Sequence, residues 1–419
     1  MHRRTLLAAP LAIPFIQSAA AQAATELVVH YPMPAFFKDV MDQLSAEFTK
    51  ANPDVTMRFP APSPTYEDGL QLVIRQATAG GLPDVSFQGL NRLRFLAERD
   101  ILVDLAPFLG KAGDPAAAGW TPTILQLAQV GGRQVGLTFS ASNPVTYYNA
   151  ALVRRAGGDP DNMPSDWDGV LKLSAAIAAL GDGISGMFYR WPGDDWMFSA
   201  LLYGYGGKML SDDEKTVAFG DPGLAALKLL DRMVKEGRMP PLTTDAAFQA
   251  FYAGKLGMVM GTTAYIGQFQ RSIGPGVELR TARMPVIMPV GKLPTGGNAV
   301  VMLTKDPARQ AAAWRFMQFV AGPVGQTIMV RGTGYVPSNT LTLNDDRYLG
   351  AFYRDSPLFR PAMEQIPIMQ PWYAFPGSNG VRITQAIVDN LARIVEQKAT
   401  PDAVLADLTA EVQRLLPRA

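Results

Sequence analysis

Two adjacent carboxylates have the residue types that hydrolytic chemistry uses. Asp194 and Asp195 lie between Trp191 and Trp196. A glycoside hydrolase needs two carboxyl groups that flank one glycosidic bond, so this cluster raises a hydrolase of glycans or phosphate esters as one hypothesis. Adjacent residues of a chain rarely face the same bond, however, and the sequence contains neither a metal-ligand set nor a nucleophile elbow. Binding of a solute without reaction is the stronger hypothesis.

The composition excludes much other chemistry. The chain has 419 residues, no cysteine and two histidines, His2 and His30, which excludes disulfides, thiolate metal sites and cysteine nucleophiles. Its 38 basic and 37 acidic residues give none of the basic excess that nucleic-acid binding needs. The 19 methionines are scattered among apolar runs and are interpreted as core residues, not as copper ligands.

Three clusters of small polar residues and glycines provide hydrogen-bond donors. One spans 140–144, between predicted strands, and another is 261–263, after the apolar strand 256–260. The third, 295–298, is predicted as a turn before the strand 299–303, and its paired glycines allow a backbone N–H to approach a ligand closely. An ordinary loop is the commoner explanation of each cluster.

Alternating strands and helices must position these clusters. Apolar periodicity and helix-stop signals predict strands at 26–31, 55–59 and 83–87, with helices at 39–51 and 68–79 between them. Such βα units predict a parallel α/β layer. Longer helices are predicted at 308–320, 383–398 and 403–416. Two α/β lobes fit the length better than one large sheet.

The first 23 residues have the layout of a cleavable signal peptide. A basic start with Arg3 and Arg4 precedes a mostly apolar stretch at 6–16, and 21–23 read Ala-Gln-Ala, a small-x-small cleavage site. The adjacent arginines partly match a twin-arginine signal, and Sec export stays an equal alternative. Cleavage would leave 36 (38 − 2) basic against 37 acidic residues. We therefore expect an exported, nearly neutral protein.

Five motifs occur together in one order along the chain. They are Pro-Asp-Val at 83–85, the segment 139–149 with its Pro-Val-x-Tyr-Tyr-Asn core, Pro-Ser-Asp-Trp at 164–167, the helix–glycine–strand segment 248–258, and Gly-Thr-Gly-Tyr-Val-Pro at 332–337. This set resembles the extracellular solute-binding proteins of ABC importers, family 1. The resemblance extends from about Leu27 to the C-terminus.

The resemblance implies a two-lobed α/β periplasmic-binding-protein fold, in which each lobe is a sheet flanked by helices and a hinge closes the lobes on a ligand cleft. It implies a first lobe at 25–138 and 290–340, and a second at 139–289 and 341–419. It further implies a monomeric periplasmic receptor that is not an enzyme and has no cofactor. Its partners would be a small polar solute and inner-membrane permease subunits.

Within the family, the pattern is most similar to the subfamily that binds glycerol-3-phosphate and glycerophosphodiesters. The residues that resemble the ligand residues of that subfamily are Tyr66, Ser142, Trp191, Trp196, Gly297, Tyr335 and Arg382, and Thr262 or Thr263 stands where the family has a serine. In that pattern Tyr66 contacts phosphate and Trp196 forms an apolar wall. A phosphate favours several charge-assisted donors, and the planar guanidinium of Arg382 would provide two of them.

One position departs from the subfamily. Its glycerol-binding glutamate falls within 88–91, which reads Gln-Gly-Leu-Asn and has no carboxylate, so Gln88 is the nearest substitute. The solute could therefore be another polyol, a diester, or a neutral sugar or oligosaccharide. An exported hydrolase remains the alternative of another class.

Each of these residues also has a structural explanation. Tyr66 is equally typical of an exposed turn, and Trp191 with Trp196 is typical of the core of the second lobe. Arg382 begins a predicted helix, where the helix dipole disfavours a cation, so solvation is the simplest role for it.

Overall fold

The computed structural model describes residues 24–285 and 287–417. The predicted signal peptide, 1–23, lies outside these residues. None of the helices within the described ranges is long and apolar enough to cross a membrane.

The strands form two larger sheets and one small hairpin. Their bounds are β1 Thr25–His30, β2 Val55–Arg58, β3 Val85–Gly89, β4 Gln129–Val130, β5 Arg133–Gln134, β6 Leu137–Ser142, β7 Pro144–Asn149, β8 Ser185–Tyr189, β9 Leu256–Thr262, β10 Leu279–Arg283, β11 Leu293–Met302 and β12 Met369–Pro371. The first sheet has the order β12-β11-β3-β1-β2, with β6 also paired to β11. The second has the order β10-β7-β9-β8, and β4 pairs with β5 alone.

Helices flank both sheets. Their bounds are α1 Pro34–Ala51, α2 Tyr66–Ala79, α3 Leu93–Ala97, α4 Ala106–Ala112, α5 Pro122–Gln126, α6 Ala150–Arg155, α7 Trp167–Ala178, α8 Trp196–Gly204, α9 Gly220–Lys235, α10 Thr244–Tyr252, α11 Ile266–Ser272, α12 Pro307–Val320, α13 Pro323–Thr333, α14 Gly350–Asp355, α15 Arg360–Glu364, α16 Gly380–Val395 and α17 Pro401–Leu415. The predicted α/β class with two sheet-and-helix layers is confirmed.

The pairing directions confirm the predicted parallel layer. Strand β1 is parallel to both β2 and β3, as expected for strands joined through α1 and α2. Strand β11 is antiparallel to β3 and β6, so the first sheet is mixed. Its core contains the rings of Phe87 and Phe139, whose centroids lie 4.8 Å apart.

Two predicted loops are parts of strands. The cluster 140–144 falls within β6 and β7, with only Asn143 between them, and the cluster 295–298 lies inside β11. These loop predictions were wrong because serine, asparagine and glycine are typical of turns in isolation, whereas strand pairing recruits them here. The chain passes from the first sheet to the second at Asn143, and the lobe boundaries stay predictions.

Candidate functional site

The two sheets meet where β6 ends and β7 begins. Ser142 ends β6 and pairs with Gly296 of β11, whereas Pro144 begins β7 in the second sheet. Asn143 between them is buried, and its amide donates a hydrogen bond to the carbonyl of Ala362. We call this region, with the adjoining parts of β3, β11 and α8, the junction. A solute held there would contact both sheets.

A hydrogen-bonded group of hydroxyls lines the first-sheet side of the junction. Tyr66 is the first residue of α2, a position set by the N-cap Thr65. The side-chain amide of Asn298 donates to the Tyr66 hydroxyl at 3.0 Å, and the Asn298 N–H donates to Ser140 Oγ at 3.2 Å. The hydroxyl of buried Tyr335 interacts with that of Tyr66. Burial raises the pKa of both tyrosines, so both hydroxyls stay protonated and able to donate.

Gly297 has a backbone that only glycine adopts readily. Its φ is +112°, and a Cβ at this position would lie 2.0 Å from the carbonyl oxygen of Ser140. The register of β11 against β6 shifts between Asn298 and Ala299, which is a β-bulge. Gly297 therefore permits the close approach of two strands from which the junction is built.

Trp196 covers the second-sheet side of the junction, and Trp191 lies five residues before it in the chain. Trp196 begins α8, a helix whose residues are all buried, and its ring lies 3.6 Å from the position that a Cβ on Gly296 would take. Ser142 Oγ lies 2.8 Å from the same point. Trp191 follows the end of β8, and the indole N–H groups of Trp191 and Trp196 are buried without a partner among the described residues.

Thr262 ends β9 and Thr263 begins the 3-10 turn that follows it, and the two have different roles. The Thr262 hydroxyl accepts from the N–H of Ala264, and its carbonyl accepts from the Tyr147 hydroxyl, so Thr262 is used by the fold. The N–H of Thr263 donates to the Asn143 carbonyl, but its hydroxyl is buried with no partner in the described chain. Of the two hydroxyls, only that of Thr263 is without a partner among the described residues.

Gln88 belongs to a buried polar chain on β3. Its amide donates to Ser86 Oγ at 2.8 Å, and His30 bridges Ser86 Oγ and Ser63 Oγ, both at 2.9 Å. Burial lowers the pKa of His30 to about 4, so this histidine is neutral and structural. The side-chain oxygen of Gln88 is buried and lacks a partner among the described residues, which leaves it free to accept from a solute.

Arg382 is a predicted site residue that no described contact joins to the others. It lies in the first turn of α16 and is exposed. Its helix reaches the junction through Thr384, whose hydroxyl lies 3.4 Å from an Asp195 carboxylate oxygen.

The two adjacent aspartates have separate surroundings, as their sequence spacing suggested. Asp194 binds both terminal nitrogens of Arg190, at 2.9 and 2.7 Å, and accepts from the Trp196 N–H. Asp195 is buried, accepts from the indole N–H of Trp372 through Oδ1, and has no described partner for Oδ2. Asp194 is thus occupied by an ion pair, which leaves one carboxylate of the two that a glycosidase needs.

The junction combines unused donors with unused acceptors. In the described ranges, the buried side-chain atoms without a hydrogen-bond partner at the junction or in the adjoining segment 191–196 are Gln88 Oε1, Trp191 Nε1, Asp195 Oδ2, Trp196 Nε1, Thr263 Oγ1, Thr295 Oγ1 and Asn298 Oδ1. Each such group costs about 1–3 kcal/mol if nothing satisfies it. The arrangement therefore favours a bound molecule that both donates and accepts hydrogen bonds. No group of three His, Cys, Asp or Glu side chains suited to a metal occurs in the described residues.

Three members of this group were not predicted as site residues. Thr295 and Asn298 belong to the cluster 295–298, which the sequence interpretation singled out as a turn. Had that segment been predicted as a strand, the alternation of side chains along β11 would have assigned each of them to one face of the sheet. Asp195 was considered only as part of a hydrolytic pair. Its isolation from Asp194 depends on contacts with distant segments of the chain.

Comparison with known proteins gives one family. The family described as "Bacterial extracellular solute-binding protein" matches residues 43–354, which is more than half of the chain. The sn-glycerol-3-phosphate-binding periplasmic protein UgpB of Salmonella typhimurium is 25% identical over 438 residues, covering 99% of this chain and 98% of the relative.

Solved structures show the same fold. UgpB from Mycobacterium tuberculosis, in complex with glycerophosphocholine, has a TM-score of 0.80 at 20% identity and covers 93% of this chain and 98% of its own. The sugar-binding protein MalE from Xanthomonas citri has a TM-score of 0.82 at 21% identity, with coverage of 93% and 97%. The predicted two-lobed fold and the resemblance drawn from the sequence motifs are confirmed.

Proposed function

This chain belongs to the bacterial extracellular solute-binding proteins, and we propose that it captures glycerol-3-phosphate or a glycerophosphodiester between its two lobes for an ABC importer. The observation that carries this proposal is the set of buried, unpartnered donors and acceptors at the junction of the two sheets. Names of related proteins support the solute class, since one relative binds glycerol-3-phosphate and one structural neighbour holds glycerophosphocholine.

The donors suit the phosphate end of such a solute. The protonated hydroxyls of Tyr66 and Tyr335 meet beside Ser140, and Asn298 binds both Tyr66 and Ser140. A phosphate accepts several such bonds at once. We propose that Arg382, on the exposed first turn of α16, completes the phosphate site when the solute is bound, because its planar guanidinium matches two phosphate oxygens.

The acceptors suit the hydroxyl end. Gln88 Oε1 and Asn298 Oδ1 are buried and lack partners in the described chain, and a glycerol hydroxyl can donate to either. The carboxylate that the subfamily uses near this position is absent here, so an amide would bind the hydroxyl instead. Trp196 packs beside this space against β11 and would cover the carbon chain.

Closure of the lobes would couple binding to transport. Contacts that a solute makes with both sheets stabilise only the closed arrangement, so the solute shifts the population toward it. The closed receptor would then dock on the inner-membrane permease. Export through the signal peptide at 1–23, by the Sec or twin-arginine route, would place this cycle in the periplasm.

A neutral sugar is the second candidate. It is favoured because two arginines of this region are already paired with carboxylates and are not available to a phosphate. Arg190 is held by Asp194, and Arg92 lies 3.3 Å from Glu67. Arg382 is exposed. If none of these arginines reaches the solute, the hydroxyl-rich donors and acceptors of the junction would fit a sugar better than a phosphate.

Calorimetric titration of the mature protein separates the two candidates. We expect heat and saturable binding with glycerol-3-phosphate or glycerophosphocholine, and none with maltose. The matched variant is Arg382→Lys, which keeps the charge but loses the planar fork, and it should weaken binding of the phosphate-bearing solutes. Binding of maltose alone would refute the phosphate assignment and support a sugar receptor.

A further inference from the structure

Asp195 is a buried carboxylate that the fold uses on one side only. Its side chain is 1% exposed. Oδ1 accepts from the indole N–H of Trp372 at 3.2 Å and lies 3.4 Å from the Thr384 hydroxyl. Oδ2 is buried with no hydrogen-bond partner in residues 24–285 and 287–417. A carboxylate oxygen that is buried away from water without a hydrogen-bond partner lowers the stability of the folded chain.

The same short segment carries unused donors. The indole N–H groups of Trp191 and Trp196 are also buried and unpartnered in the described chain. Trp196 directly follows Asp195 and packs its ring at the junction, beside Gly296 and Ser142. Residues 191–196 thus carry an acceptor and two donors that lack described partners, and Trp196 joins this segment to the proposed solute space.

We propose that Asp195 binds a hydroxyl group of the solute, with Oδ2 accepting the hydroxyl proton and an indole N–H donating to the hydroxyl oxygen. This inference rests on the proposed function and specifies its solute as one that carries hydroxyls at the second-lobe side. The subfamily binds glycerol through a glutamate near position 88, where this chain has Gln88. In our proposal, Asp195 provides a carboxylate for the solute from the second lobe instead.

The other polar groups of such solutes fit this position less well. A phosphate only accepts hydrogen bonds at neutral pH and would be repelled by the carboxylate, and an ammonium only donates and would leave both indole N–H groups unsatisfied. A hydroxyl does both. Burial, followed by the charge of Asp194, raises the pKa of Asp195 to about 7, and the charge of Arg92 opposes that rise. At a pH above this pKa the carboxylate is ionised, and Oδ2 can then accept a hydrogen bond from a hydroxyl.

The test compares Asp195→Asn with an exposed charge control. Asparagine can keep the bonds that Oδ1 makes, but its amide nitrogen replaces Oδ2, so an acceptor becomes a donor. Asp213→Asn removes the same charge from an exposed loop of the second lobe and controls for long-range repulsion of an anionic solute. The probes are glycerol-3-phosphate and propyl phosphate, which has the same carbon chain without hydroxyls, together with maltose.

We expect Asp195→Asn to weaken glycerol-3-phosphate binding by about 10- to 100-fold, as for loss of a charged hydrogen bond, and to leave propyl phosphate affinity within about threefold. Asp213→Asn should change neither. The ligand-free Asp195→Asn protein should melt at or above the wild-type temperature, because an unpaired buried charge is removed.

The outcomes separate the two proposals. Equal losses for glycerol-3-phosphate and propyl phosphate, or unchanged affinity for both, would overturn the role of Asp195 while leaving the receptor function intact. A wild-type protein that binds maltose and not glycerol-3-phosphate would refute the phosphate assignment. In that case, a tenfold loss of maltose affinity in Asp195→Asn would still support a hydroxyl site at Asp195. A wild type that binds none of the probes would refute both proposals. A lowered melting temperature with unchanged affinities would mean that Asp195 is structural.

Discussion

Replacing Gly297 with alanine tests whether the junction depends on one backbone conformation. At a φ of +112°, an alanine is strained by about 1–3 kcal/mol. Its Cβ would also lie 2.0 Å from the Ser140 carbonyl oxygen, a backbone atom that cannot rotate away. Relief of this overlap requires β6 and β11 to separate at the bulge. We therefore expect Gly297→Ala to lower the free energy of unfolding by about 3–4 kcal/mol in total.

The neighbouring glycine provides a matched control. A Cβ on Gly296 would lie 2.8 Å from Ser142 Oγ and 3.6 Å from the Trp196 ring, and no positive φ adds strain there. Because a serine hydroxyl can rotate, Gly296→Ala should cost less than about 1 kcal/mol of stability. The added methyl group would nevertheless enter the proposed solute space, so it should weaken solute binding.

Urea unfolding followed by tryptophan fluorescence measures the stability of both variants, and calorimetry with glycerol-3-phosphate measures their affinity. The expected pattern is a large stability loss in Gly297→Ala and a loss of affinity without a large stability loss in Gly296→Ala. If Gly297→Ala unfolds within about 0.5 kcal/mol of the wild type, the bulge tolerates a side chain and the reasoning is refuted.

Three further predictions concern other parts of the site and the fold. Burial lowers the pKa of His30 from 6.5 in the unfolded chain to about 4, so its contribution to the free energy of unfolding is complete above pH 6.5 and falls by about 3 kcal/mol as the pH drops toward 4. Urea unfolding of His30→Gln should lack this dependence on pH, and parallel curves of stability against pH for the two proteins would contradict the prediction. Arg94 holds Glu214 through two bonds of 2.6 Å and lowers the pKa of that carboxyl. Glu214→Gln should therefore cost about 1 kcal/mol at pH 7, and this difference should vanish in acid as the wild-type carboxyl protonates; an equal difference at pH 3 would show that charge is not its origin. Tyr66→Phe removes the hydroxyl that Asn298 contacts and should weaken glycerol-3-phosphate binding about tenfold in calorimetry; unchanged affinity would place the Tyr66 hydroxyl outside the solute site.

Local patterns were sufficient for most of the first sheet. Apolar periodicity predicted strands and helices close to β1, α1, β2, α2 and β3, and the predicted long helices lie within a few residues of α12, α16 and α17. These elements carry their own start and stop signals, such as the side chain of Thr65, which caps α2. Where local propensity and tertiary pairing agreed, the sequence was enough.

Local patterns failed where pairing between distant segments decides the structure. Residues 140–142 and 295–298 have turn-like composition, yet β6 and β11 pair with each other and make both segments strands. The contact between Asn298 and Tyr66 joins residues 232 positions apart, and no spacing in the sequence indicates it. The same is true of Asp195, whose partner Trp372 comes from a distant segment.

The sequence by itself determined which chemistry this protein has at its disposal. With no cysteine and one histidine after residue 2, the chain offers hydroxyls, amides, indoles and carboxylates, which are groups that hold a polar solute. Only the tertiary structure decided which of these groups the fold consumes. It neutralises His30 by burial and engages Asp194 with Arg190, yet leaves Asp195 Oδ2 and Gln88 Oε1 without described partners. The physical reason is that a hydrogen bond requires an approach within about 3 Å, and packing rather than sequence order sets that distance.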